Sequence, residues 1–100
     1  MNLEEMDKNS SKAVVLLKAM ANEKRLQILC LLHTNELSVG DLGSQLALSQ
    51  SALSQHLAWL RRDGLVVTRK EAQTVYYSLS SNEVKAMIQL LYRLYCEPND

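Results

Sequence analysis

The chain has 100 residues, 47% hydrophobic and 22% charged, with 11 basic and 11 acidic side chains and no formal net charge. That length holds one domain with a small core, and 3 Gly with 1 Pro exclude a collagen-like or low-complexity chain. No apolar run reaches the roughly 18–20 residues of a membrane span, and the acidic start Met1-Asn2-Leu3-Glu4-Glu5 is unlike a signal peptide, so a cytoplasmic protein is expected.

Helical patterning begins at once. A first helix is expected over about 4–20, with Ala13, Val14, Leu16, Leu17 and Met20 forming a broad apolar surface. Asn22 is a good N-cap for a second helix, which carries Leu26, Ile28, Leu29, Cys30, Leu31 and Leu32 and should end near Thr34 and Asn35. Ser38-Val39-Gly40-Asp41 has the form of a capping box and opens a short third helix to about Leu46. Ser49 caps a fourth, with Leu53, Leu57 and Leu60 on one face, Arg61 and Arg62 in the last turn, and Gly64 closing it.

The period then changes. Residues 65–69 and 74–79 are β-branched and aromatic, and they flank Lys70-Glu71-Ala72-Gln73 as the turn of a hairpin. Ser80-Ser81-Asn82-Glu83 has the form of a second capping box and starts a last helix through Val84, Met87, Ile88, Leu91, Leu94 and Tyr95, with Pro98 beyond its end. The expected fold is mainly helical with a small β-hairpin, in the order helix, helix, helix, helix, strand, strand, helix. This is a winged helix-turn-helix, one domain over 1–100, with the helix-turn-helix about 38–63 and the wing about 65–79.

The fourth helix carries the functional signal. Opposite its leucines lie Gln50, Ser51, Ser54, Gln55 and Ala58, with no charge on the first two turns. A helix facing only water usually carries Glu and Lys, which pair along its surface. Short amides and hydroxyls instead suit base edges in a major groove, so Gln50, Ser51, Ser54 and Gln55 are the expected base contacts. Lys24, Arg25, Arg61 and Arg62 are expected on phosphates, and Arg69 and Lys70 at the hairpin tip on phosphate or minor groove. Taken singly, each has a plainer reading: a capped polar helix start, a dipole-compensating pair, a solvated tip. Their joint placement, in a stretch where residues 51–81 carry a net +2, favours double-stranded DNA as partner.

Three runs carry a family resemblance: Glu36-Leu37-Ser38-Val39-Gly40-Asp41-Leu42, Leu48-Ser49-Gln50-Ser51-Ala52-Leu53-Ser54-Gln55-His56-Leu57, and Leu60-Arg61-Arg62-Asp63-Gly64-Leu65-Val66. Together they resemble the ArsR/SmtB family of bacterial transcriptional regulators, over residues 12–96. The resemblance implies a homodimer through the first and last helices on a near-palindromic, A·T-rich operator. It gives the base contacts at the same four positions. One branch of the family further implies activation of virulence genes by displacement of a silencing protein. The residues also favour a dimer: Ala13 to Leu17 make the first helix apolar on more sides than a small domain can cover, and the last helix shares the excess. Val14, Leu17, Leu90, Leu91 and Leu94 are the expected interface, although these faces could equally be core.

No cofactor and no metal are expected. Where metal-sensing relatives place Cys in the third helix, this chain has Ser38 and Gly40, and residues 82–96 hold no His and one carboxylate, Glu83. Cys30 and Cys96 resemble the dithiol pair with which some members sense oxidants or persulfides; alternatively Cys30 is a small buried hydrophobe. An enzyme is not expected, since no phosphate loop, His-Glu-x-x-His or Gly-x-Ser-x-Gly is present. The remaining alternatives are a metal-independent repressor with no sensing and a module that only mediates protein contacts.

Overall fold

A computed structural model describes residues 1–97. Its elements run α1 (Leu3–Met20), α2 (Glu23–Thr34), β1 (Leu37–Ser38), α3 (Val39–Gln45), α4 (Gln50–Arg62), β2 (Val66–Glu71), β3 (Thr74–Leu79) and α5 (Asn82–Tyr95). The winged helix-turn-helix expected from the sequence is the fold found. Pro98 lies outside the described residues.

The capping residues act where the sequence places them. Asn22 Oδ1 accepts from the amides of Lys24 and Arg25, both at 3.0 Å. The Ser38 hydroxyl accepts from the Asp41 amide at 3.1 Å, and the Asp41 carboxylate accepts from the Ser38 amide at 3.1 Å. Ser49 Oγ accepts from the Ala52 amide at 3.1 Å and opens α4. At its other end α4 closes in a Schellman motif: Leu65 N donates to Leu60 O at 2.9 Å and Gly64 N to Arg61 O at 3.1 Å, with Gly64 at φ 81°. Leu65 turns back onto the core beside Leu60, so the cap also aims the chain into the wing.

One core unites the elements. Ile28, Leu29 and Leu32 from α2, Leu42 from α3, Leu53, Leu57 and Leu60 from α4, and Val84 and Ile88 from α5 are all buried. Only Ala19 and Met20 of α1 join them. Leu16 packs partly buried against them, and most of the remaining α1 side chains are exposed.

Two local features differ from expectation. Leu37 and Ser38 form a short strand, pairing antiparallel with Tyr77 and Tyr76, so the sheet has three strands in the order β1-β3-β2. Two residues are too few to show an alternating pattern, and the capping role of Ser38 masks its pairing. The hairpin is also tighter than expected. Pairing continues to Glu71 opposite Thr74, leaving Ala72 and Gln73 as the turn. Arg69 and Lys70 therefore lie within β2, not at the tip. Ala72 takes φ 54°, a region usually left to Gly or Asn, which is why the turn carries no ordinary sequence signal.

Ala72→Gly should remove this strain and raise stability by about 0.5–1 kcal/mol, read as a higher urea midpoint at unchanged m-value. A lower midpoint would contradict the left-handed turn.

Candidate nucleic-acid interface

The inward stripe of α4 fixes its outward face. Leu53, Leu57 and Leu60 are 1%, 1% and 0% exposed, while Gln50, Ser51, Ser54, Gln55 and Ala58 are exposed. No side-chain hydrogen bond within the described residues engages Gln50, Ser51, Ser54 or Gln55, so their donors and acceptors are free. The backbone of α4 begins at Ser49 with no acidic residue in its first turn, which leaves the positive end of the helix dipole unopposed.

The basic residues divide into two groups. Lys24, Arg61, Arg62 and Lys70 reach solvent or its edge, and Arg62 makes a 3.4 Å contact with its neighbour Asp63 and lies 5.4 Å from the Trp59 ring centroid. Ser54, Ala58, Arg61, Arg62 and Tyr77 line one open hollow of about 470 Å³ between α4 and the sheet, joining the α4 face to the basic end of the helix.

Arg25, which is buried, and Arg69, which is exposed, are both engaged by other residues of the chain. Arg25 is 6% exposed; its Nε donates to Ala19 O at 2.7 Å and its Nη2 to Lys18 O at 3.1 Å, and its guanidinium lies 3.9 Å from the Trp59 ring centroid. The expected phosphate contact at Arg25 is therefore corrected, because both the edge and the face of this cation are used by α1 and α4. Arg69 is gripped by Glu36, with Nη2 at 2.6 Å from Oε1, and by Glu71 Oε2 at 2.8 Å from Nη1, and it stacks on Tyr76 at 4.7 Å. The two carboxylates raise its pKa further above the usual arginine range, the Glu36 hydrogen bond contributing most. They also cancel its charge toward an approaching phosphate. Sequence reasoning missed Glu36, Tyr76 and Trp59 as partners because each lies on a different element from its arginine.

The expected interface residues separate in the same way. Val14, Leu17, Leu90 and Leu94 are exposed, at 44%, 52%, 39% and 59%, together with Val15, Tyr92 and Tyr95. Leu91 instead packs partly buried against the core.

Cys30 and Cys96 are both free and exposed, which corrects the reading of Cys30 as a buried hydrophobe. Cys30 borders a groove of about 560 Å³ between α2 and α5, with His33, Thr34, Ile88, Gln89 and Tyr92 around it. Burial of its flank, and then the neighbouring Cys96, push its pKa above the ordinary thiol value. Among the described residues, no group of three or more His, Cys, Asp or Glu gathers as for a metal ion.

A bundle of helices that presents a short, uncharged helix face beside a basic β-hairpin defines the winged helix-turn-helix regulators. This chain belongs to the bacterial ArsR family of regulatory proteins: residues 22–68 match that family. It is 81% identical to the Transcriptional activator HlyU of Vibrio cholerae over 99 residues, which is 99% of this chain and 92% of that protein. The structure of reduced HlyU from Vibrio cholerae superposes with a TM-score of 0.88 at 81% identity, covering 94% of this chain and 99% of that one. The transcriptional repressor BigR from Xylella fastidiosa superposes with a TM-score of 0.89 at 34% identity, covering 98% and 100%. The chain is thus a DNA-binding transcriptional regulator, and its close relatives are regulators rather than enzymes.

A raised Cys30 pKa delays the thiolate. In a Cys96→Ser protein, the rate of Cys30 labelling by iodoacetamide should still be climbing at a pH where free cysteine has levelled off. A plateau at lower pH than free cysteine would contradict the assignment.

Proposed function

We propose that the protein is a homodimeric, sequence-specific transcriptional activator. Gln50, Ser51, Ser54 and Gln55 of each subunit read base edges in successive major grooves of a near-palindromic, A·T-rich operator. The observation that carries this reading is the α4 face: four polar side chains, exposed and unengaged, opposite a fully buried leucine stripe. Glutamine can pair bidentately with adenine, and a serine hydroxyl can donate or accept. Lys24, Arg61, Arg62 and Lys70 supply the phosphate contacts. Arg69 contributes less, because Glu36 and Glu71 already neutralise it.

The dimer rests on α1, of which only the last two residues are buried, and on the outward apolar side chains of α5. Patches of this kind are covered in stable proteins. Paired through Val14, Leu17, Leu90 and Leu94, two copies would set their α4 helices about 34 Å apart, one turn of DNA. Activation is favoured by the relative named a transcriptional activator. The mode we assign is displacement of a silencing protein from A·T-rich virulence promoters, within the cytoplasm where that DNA lies.

A thiol response is the second element of the proposal. Cys30 and Cys96 are both free and exposed, and Cys96 contributes to the raised pKa of Cys30. Peroxide would oxidise one thiolate to a sulfenic acid and be reduced to water. The second thiol would then close a disulfide with loss of another water. A persulfide donor would pass its outer sulfur to one thiolate, leaving as a thiol; attack of the second thiolate on the inner sulfur would then close a disulfide and release hydrogen sulfide. The response requires no metal.

Selection from random duplexes, followed by mobility shifts at two salt concentrations, tests the assignment. Ser51→Ala and Gln55→Ala should each cost about 1–3 kcal/mol on the selected operator and little on unrelated duplex. Arg61→Ala should weaken all sequences alike and lower the salt slope by about 1. An unchanged operator preference in both α4 variants, or a monomer in sedimentation, would overturn the reading.

A further inference from the structure

Arg25 touches neither solvent nor any expected DNA surface, yet it joins the two helices on which recognition depends. Its edge donates to the carbonyls of Lys18 and Ala19 in the last turn of α1. The Lys18 oxygen also accepts from the C-cap amide of Ala21 at 3.3 Å, and a cation at a helix C-terminus is favourably placed. Its face lies 3.9 Å from the ring of Trp59, on α4. Trp59 carries a second guanidinium, that of Arg62, at 5.4 Å. One buried side chain therefore spans α1 to α4 from its own place on α2.

We infer that the Arg25–Trp59 stack is a positioning joint that sets the half-site spacing the dimer accepts on DNA. The inference rests on the dimeric DNA-reading proposed above. Beyond its last turn, held by Ala19, Met20 and the Arg25 hydrogen bonds, α1 meets its own domain only through the half-buried stripe Ser10, Ala13 and Leu16, of which Leu16 packs against the core. Its 18 residues make a rod about 27 Å long. A tilt of about 10° at the joint would move the far end by about 5 Å, more than the rise of one base pair, about 3.4 Å. Small changes at the joint are thus amplified into a register error between the two α4 helices. A lysine could not substitute, because it lacks the flat face and the forked donors that this arrangement uses.

The test uses the full-length protein and the duplex it selects from a random library. Half-site separation is then varied by one base pair in each direction. Wild type should prefer one separation at least tenfold. Trp59→Leu, at a position 38% exposed, should fold and keep its half-site sequence preference, while this discrimination falls at least fivefold. Trp59→Phe retains a ring and should restore it. Arg25→Lys should change the emission of Trp59, the 1 tryptophan in the chain, and lose spacing discrimination like Trp59→Leu. Release of Arg62 from the ring would alter affinity at all separations alike, so the ratio isolates the joint. Unchanged discrimination in Trp59→Leu, or an equal loss at every separation, overturns this inference alone. A wild-type protein that selects no two-part operator overturns it together with the reading beneath it.

Discussion

Burial of one leucine stripe decides how this molecule can meet a duplex. Leu53, Leu57 and Leu60 are almost wholly removed from water, and each contributes about 1.5–3 kcal/mol. Turning α4 by one residue, about 100°, would bring these side chains toward solvent and the polar ones toward the core. The cost would exceed that of any single base contact, about 1–3 kcal/mol. The outward set is therefore fixed before DNA arrives. The Ser49 cap and the Gly64 Schellman motif fix where that set begins and ends.

Charge is arranged as selectively as apolar surface. The chain is neutral overall, yet its cations are not interchangeable. Arg61 and Lys70 stand free of carboxylates among the described residues, whereas Arg69 is shared between Glu36 and Glu71 and Arg25 is sealed between α1 and α4. Exposed ion pairs such as Arg69–Glu36 add little stability in water. Their effect is to hold the wing's arginine against Tyr76 and lower its pull on phosphate. On the proposed reading, nonspecific attraction is thereby kept modest and a larger share of discrimination falls to the α4 face.

The helices were legible because their signals are local. Asn22, Ser38 and Ser49 each accept an amide hydrogen bond at a helix start, and the apolar spacing of α4 marks its buried face directly; the last helix is capped by Ser81, one residue beyond the Ser80 that a capping box over 80–83 would use, because the Ser80 hydroxyl donates to Gly64 O. The positions of Gln50, Ser51, Ser54 and Gln55 on the outer face followed from the same spacing. What escaped is what depends on distant partners. β1 is only two residues long and is defined by Tyr76 and Tyr77, far along the chain. Arg25 looks like any first-turn cation until Trp59 is folded over it. Arg69 was seen as a tip residue because Ala72 adopts a turn conformation that alanine rarely signals. Cys30 sits among leucines in sequence but faces a groove, since its neighbours Leu29 and Leu32 take the core side of α2.

The central claim is that two copies of α4 engage the major-groove edges of bases. Replacing purines one at a time with 7-deaza analogues across the selected operator removes the N7 acceptor there and leaves Watson–Crick pairing intact. Two clusters of affinity loss, symmetry-related and about one helical turn apart, are the expected result. A single cluster, or affinity indifferent to every substitution, would contradict the account.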